Sequence, residues 1–134
     1  MYRIAIIGPT TCIEKTKNVK ELLFKVKQTF GDTATIISGG NLEGIESDVK
    51  KYALQFGLSY KEFNPSFTGR NEFSALYKEY YGKKFHSSHY RHRYDEMVKR
   101  IDRLVIGIDP SSTHKLYFDV KKKSEKKGIK TVFL

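Results

Sequence analysis

The stretch "YRIAIIGP", Tyr2 to Pro9, is a short apolar run stopped by a glycine and a proline. A run of this length without polar alternation reads as a strand buried on both faces. Four of the five strand runs lack polar alternation in this way, and turn residues stop the runs along the chain. "TATIIS", Thr33 to Ser38, ends at Gly39-Gly40, and "LSYKEF", Leu58 to Phe63, is halted by Asn64-Pro65. "RLVIGID", Arg103 to Asp109, stops at Pro110, and "KTVFL" closes the sequence. Between these runs the period changes to that of a helix. Residues 15 to 30 place Val19, Leu22, Leu23, Val26 and Phe30 on one stripe before Gly31. Residues 45 to 56 turn Ile45, Val49, Tyr52, Ala53 and Phe56 inward before Gly57. Residues 88 to 101 form a third helix, and Thr113 to Gly128 a fourth with Ser112 or Thr113 as its cap.

Strands therefore alternate with helices throughout. Right-handed crossovers then predict an α/β fold: a single Rossmann-like three-layer domain over residues 1–134, with a five-stranded, mainly parallel sheet. The expected strand order is 3-2-1-4-5. Its switch point lies between the first and fourth strands, where ligands bind beyond the strand carboxyl ends. A basic, aromatic insertion at about 64–92 interrupts the alternation, with a short helix expected around Glu72 to Tyr81.

Composition narrows the class. The chain has 134 residues, 39% hydrophobic and 30% charged, which suits one water-soluble domain. No apolar run approaches the ~20 residues of a membrane span, and the N-terminal run is too short for a signal peptide. Cys12 is the sole cysteine, so no internal disulfide forms, and a cytoplasmic location is expected. The net charge of +10 invites anionic partners. Much of it falls in "KNVKELLFKVK" and "KKKSEKKGIK", whose helical spacing also fits a solvated face.

Three strand ends carry candidate chemistry: Gly8-Pro9-Thr10-Thr11, "GGNLEG" from Gly39 to Gly44, and "DPSST" from Asp109 to Thr113. All three belong on one edge of the sheet. Glycines let a ligand approach the backbone, helix N-termini favour anions, and Ser111, Ser112 and Thr113 add hydroxyl donors. Each turn alone fits a plain strand stop or a helix cap, so their convergence is the signal. The pattern is neither the dinucleotide GxGxxG fingerprint nor a P-loop.

"RIAIIGPTT" followed by "IISGGNLEGIESDVKKYALQFGLSYKEFNPSF" resembles the SLOG superfamily, the Rossmann-like proteins of Lonely-Guy and DprA/Smf type, and within it the small YspA-like group. The matching positions are Ser38, Gly39, Gly40, Gly44 and Glu46, then Ala53 and Phe63 to Phe67, then Arg93, Met97, Val98 and Asp102, with Ser112-Thr113 in the last turn. The resemblance implies a nucleotide-type ligand bound by Gly8, Pro9, Thr10, Gly39, Gly40, Asn41, Gly44, Ser111, Ser112 and Thr113. It also implies Arg91 or Arg93 as a phosphate ligand, where the guanidinium fork suits bidentate contact. Arg70 is a second anion candidate on a lid. Several positions depart from the pattern: Pro9-Thr10 in the first turn, Phe67 for a tryptophan, Tyr94 for an asparagine. Leu116 stands where Lonely-Guy enzymes place the late-turn glutamate. That argues for binding over N-glycosidic hydrolysis and leaves Glu43 and Glu46 as weak catalytic candidates. Glu46 equally suits a helix first turn.

"KFHSSHYRHRY", Lys84 to Tyr94, raises two further readings. On a helix His86 and His92 lie about 600° apart, so the three histidines, 86, 89 and 92, do not converge on a metal. No metal or cofactor is expected. The cations and tyrosines of residues 78–100 offer a DprA-like nucleic-acid surface, or a small aromatic core. The ranked expectations are a binding module that senses or sequesters a nucleotide-derived molecule, a nucleoside-monophosphate hydrolase, and a nucleic-acid binder. Homo-oligomerisation is expected by analogy alone.

Overall fold

The computed structural model describes residues 2–9, 16–40, 44–63, 87–108 and 115–134. Among these, five strands and four α-helices alternate: β1 (Tyr2–Ile7), α1 (Thr16–Phe30), β2 (Ala34–Ser38), α2 (Ile45–Gln55), β3 (Ser59–Glu62), α3 (Ser87–Val98), β4 (Arg103–Ile106), α4 (Lys115–Lys126) and β5 (Lys130–Phe133). A single 3-10 turn, Gly31–Thr33, joins α1 to β2. The sheet order is β3-β2-β1-β4-β5, as expected from the sequence, and all four pairings are parallel. The short helix expected near 72–81 lies outside the described residues.

Two boundaries and one strand differ from the sequence reading. β4 stops at Ile106 rather than Asp109, and the Gly107 amide makes its last ladder bond to β1, donating to the carbonyl of Ile7, where β1 itself ends, at 2.8 Å. α3 ends at Val98 rather than near Ile101. β5 alternates between exposed and half-buried residues instead of being buried on both faces, and its Val132 is 37% exposed. It is an edge strand whose Lys130 and Val132 are exposed.

Side-chain alternation splits the sheet into two cores. Ile4 and Ile6 of β1, Ala34 and Ile36 of β2, and Val105 of β4 face α1 and α2, meeting Val19, Leu23, Val26, Ile45, Val49 and Ala53. Ala5, Ile7, Ile37, Leu104 and Ile106 face α3 and α4, meeting Tyr94, Met97, Val98, Tyr117 and Val120. This is the three-layer arrangement that right-handed crossovers dictate. Asp102 fastens the start of β4 to β1. Its carboxylate accepts the Arg3 amide at 2.8 Å, which holds it below the usual carboxylate range.

The carboxyl ends of β1 and β4 are kept open for α2 by two glycines. A Cβ on Gly8 would meet the Ile45 Cβ at 2.9 Å, and one on Gly107 would meet Ile45 Cγ2 at 3.0 Å. Ile45, the first residue of α2, thus rests directly on backbone at the switch point. Gly8→Ala and Gly107→Ala are each expected to cost about 1–3 kcal/mol by overpacking, measured by chemical denaturation. Ile45→Ala removes the γ and δ atoms that a residue at 107 would touch but leaves the Cβ facing 8. The Gly107→Ala cost should therefore shrink in that background while the Gly8→Ala cost persists.

Candidate ligand site at the carboxyl edge of the sheet

Two of the three strand ends that the sequence singled out, at Gly8 and Gly39, lie on neighbouring strands at one edge of the sheet, and the third, Asp109 to Thr113, lies outside the described residues. β1 runs into Gly8-Pro9, β2 into Gly39-Gly40, and β4 into Gly107, all at the carboxyl edge. α2 begins among them. Its N-cap is Gly44, at φ 77° and ψ −151°, a conformation open essentially to glycine alone. Gly40 also has φ 77°. Gly8, Pro9 and Gly39 are buried, while Gly40 and Gly44 are half-buried and form the accessible part of this edge. Thr10, Asn41, Glu43, Arg70, Ser111, Ser112 and Thr113 lie outside the described residues.

Beneath the Gly39-Gly40 turn sits a buried polar network. Glu46, in the first turn of α2, has no exposed surface, and Arg93 of α3 is 2% exposed. Arg93 Nη1 donates to the Gly39 carbonyl at 2.6 Å, and Nη2 donates to the Tyr94 hydroxyl at 2.6 Å. That hydroxyl in turn donates to Glu46 Oε2 at 2.7 Å. The backbone amides of Gly8 and Gly39 also face the Glu46 carboxylate. Gly39 has to be glycine for a second reason: a Cβ there would overlap Glu46 Oε1 and meet Arg93 Cζ at 2.9 Å. One carboxylate thus draws together β1, β2, α2 and α3.

Burial pushes the Glu46 carboxyl above its usual 4.5, against the pull of the Arg93 guanidinium, the Tyr94 hydroxyl and the two amides. Burial and the adjoining Glu46 likewise raise the Tyr94 phenol well above 10.0, so it stays a donor. The ring supports Arg93 from below, with Cζ 4.4 Å from its centroid. It also meets Tyr117 edge-on at 5.8 Å.

Among the described residues, the cations expected at a ligand or nucleic-acid surface have engagements within the chain. Arg93, expected as a phosphate ligand, is instead buried in the network. Arg91 Nη1 pairs with Asp119 of α4 at 2.9 Å, and Lys99 pairs with Glu96 at 2.8 Å. Arg100 lies over the Phe63 ring at 5.6 Å. His92 is exposed, and no cluster of metal-ligating side chains occurs among the described residues. Leu116, at the position compared with a catalytic glutamate, packs against the α3–α4 core.

Two important residues were missed as such. Tyr94 read only as a departure from a family pattern, yet it is the hinge of the network. Gly107 carried a signal that was available: a lone glycine inside an apolar strand run marks close backbone approach.

No protein-family model matches the chain, and no curated protein matches its sequence. Among solved structures it is similar to the molybdenum cofactor carrier protein MCP from Chlamydomonas reinhardtii, at 15% identity over 98% of this chain and 89% of that one, with a TM-score of 0.55. That likeness shows a shared Rossmann-like fold.

Arg93→Met is expected to destabilise the protein by about 3–5 kcal/mol, since it strands a buried carboxyl. Tyr94→Phe should cost about 1–3 kcal/mol. Denaturation across pH gives the sign of the Glu46 coupling. A carboxyl whose folded pKa is raised contributes stability in full below 4.5 and loses it as pH rises through the folded value. Relative to Glu46→Gln, wild-type stability should therefore decline as pH rises above 4.5. In Arg93→Met the decline should extend to higher pH, because the guanidinium no longer opposes burial.

Proposed function

We propose that the protein binds a nucleotide or nucleotide-derived small molecule at the carboxyl edge of its sheet, as a sensing, sequestering or carrier module rather than as a hydrolase. The observation that carries this reading is the convergence of the β1, β2 and β4 ends at the switch point, beside the glycine-capped start of α2. Two features define which part of that edge takes the ligand. The Gly8 and Gly39 amides serve Glu46, so the ligand's anionic group is assigned to the half-buried Gly40 and Gly44 and to the hydroxyls of Ser111, Ser112 and Thr113. Arg93 then acts from beneath, fixing the Gly39-Gly40 turn through the Gly39 carbonyl.

Binding without turnover is supported by Leu116 in the late turn and by the enclosure of Glu46. The neighbour of similar fold is by its name a carrier of the molybdenum cofactor, which supports a carrier role for this scaffold. The SLOG resemblance supports a nucleotide-like ligand. The internal pairing of Arg91, Arg93 and Lys99 weighs against a nucleic-acid surface on α3. The protein is further proposed to work as a homo-oligomer in the cytoplasm.

The test is a thermal-shift screen at fixed salt with nucleoside mono-, di- and triphosphates, cyclic and dinucleotide signals, ADP-ribose derivatives, molybdenum cofactor and a short single-stranded DNA. A selective rise in melting temperature with one small molecule is expected, by linkage. For that ligand, Ser112→Ala combined with Thr113→Ala should weaken binding about tenfold or more in a protein that remains folded, its unliganded melting temperature lowered only by the loss of a helix cap. A shift with DNA alone, or base release from a nucleoside monophosphate, would replace this reading.

A further inference from the structure

β3 ends one strand away from the Gly39-Gly40 turn. Its last residue, Glu62, is in register with Ser38, the last residue of β2. The Phe63 amide donates to the Ser38 carbonyl at 2.9 Å, so the pairing continues past Glu62 and fixes its backbone at the carboxyl edge. At ~4.8 Å between strands and ~3.3 Å per residue, Glu62 and Gly40 lie within about 10 Å of each other. The ribose hydroxyls of a nucleotide lie within that reach of its phosphate.

The Glu62 carboxylate is held through one of its oxygens. The Tyr60 hydroxyl donates to Oε1 at 3.0 Å, and Lys50 Nζ of α2 lies 3.5 Å from the same atom. Oε2 takes no hydrogen bond among the described residues, and the side chain is 25% exposed. Glu46, by contrast, is fully enclosed and engaged by Tyr94. Burial and the adjoining Glu62 raise the Tyr60 phenol above its ordinary 10.0, so it stays a donor. An ionised carboxylate accepts hydrogen bonds and donates none, so the open oxygen suits a ligand hydroxyl and repels a phosphate. The placement favours a ribose hydroxyl. In dinucleotide-binding βαβ units a glycine turn after one strand is followed about 20 residues later by an acid that accepts from the ribose. Here Gly40 and Glu62 stand 22 positions apart, on either side of α2 and at the ends of neighbouring strands, although the glycine spacing is different.

We propose that Glu62 Oε2 accepts a hydrogen bond from the ribose 2′-hydroxyl of a ligand whose phosphate lies at Gly40 and Gly44, which selects ribonucleotides against their 2′-deoxy and 2′-phosphorylated forms. The inference rests on the ligand reading of the carboxyl edge and adds the sugar to it. Tyr60 and Lys50 are positioning residues: they occupy Oε1 and leave Oε2 to the ligand.

Calorimetric titration of the intact protein tests this. The probes are nucleoside mono-, di- and triphosphates and cyclic dinucleotides, each beside its 2′-deoxy counterpart, and adenosine 2′,5′-bisphosphate. A ribonucleotide is expected to bind about tenfold or more tighter than its deoxy counterpart. Glu62→Ala should bring its affinity down to that of the deoxy form, and leave the deoxy affinity within about twofold of wild type. Glu62→Gln, which keeps the shape of the side chain, and Tyr60→Phe should each narrow the ribo-to-deoxy ratio. The deoxy ligand is the control for fold, because a damaged protein loses both forms alike. Equal affinity for the two forms in the wild type would overturn this inference and leave the ligand reading standing. So would binding of the 2′-phosphate as tight as that of the ribonucleotide, or a ratio indifferent to both Glu62 substitutions. Binding of no nucleotide in either form would overturn the nucleotide reading, and this inference with it.

Discussion

The Arg93–Tyr94–Glu46 network is the interaction on which the ligand edge depends. Three polar side chains from α2 and α3 are buried at the point where β1 and β2 end, and they hold each other and the Gly39 carbonyl. A buried ion pair of this kind adds little net stability over a well-packed apolar equivalent. What it supplies is position. Apolar packing alone tolerates sliding of a helix over a sheet, whereas hydrogen bonds of 2.6–2.7 Å fix α2, α3 and the β2 turn in one register. The glycines are the other half of the same constraint. Gly39 clears room for Glu46 and Arg93, and Gly8 and Gly107 clear room for Ile45.

The architecture was legible in the sequence, and for a physical reason. A strand buried on both faces cannot alternate, and a crossover helix must show an apolar stripe, so the two periods separate cleanly in "YRIAII" and "KELLFKVKQTF". Once five such units are in hand, crossover handedness leaves few topologies, and the expected 3-2-1-4-5 order is the one observed. β5 was misread because "KTVFL" is apolar enough for an interior strand. Exposure at an edge depends on what lies above it, which local pattern does not encode.

The site was legible only in part. Glycine-rich turns after strands announce themselves, and the turn ends at Gly8, Gly39 and Gly40 do converge. The use of Arg93 did not announce itself. An arginine in "HYRHRYDE" reads as surface charge, and its acid partner is 47 positions away in sequence. Long-range pairing of two charges inside a core leaves no periodic trace, and Glu46 at a helix start has a sufficient local explanation in the helix dipole. Both residues look ordinary alone, and only the fold brings them together.

The network also constrains how the ligand edge communicates with the rest of the molecule. Arg93 and Tyr94 are consecutive on α3, and Arg91 on the same helix pairs with Asp119 of α4. α4 in turn packs on β4 and β5, and Lys123 ties it back to Asp95. Any ligand that moves the Gly39-Gly40 turn therefore pulls on the Gly39 carbonyl, and through Arg93 on the whole α3–α4 layer. The α1–α2 layer is held from the same carboxylate, since Glu46 belongs to α2. Under the proposed reading, Glu46 is the group through which occupancy of this edge reaches both outer layers, since it touches α3 through Tyr94 and belongs to α2.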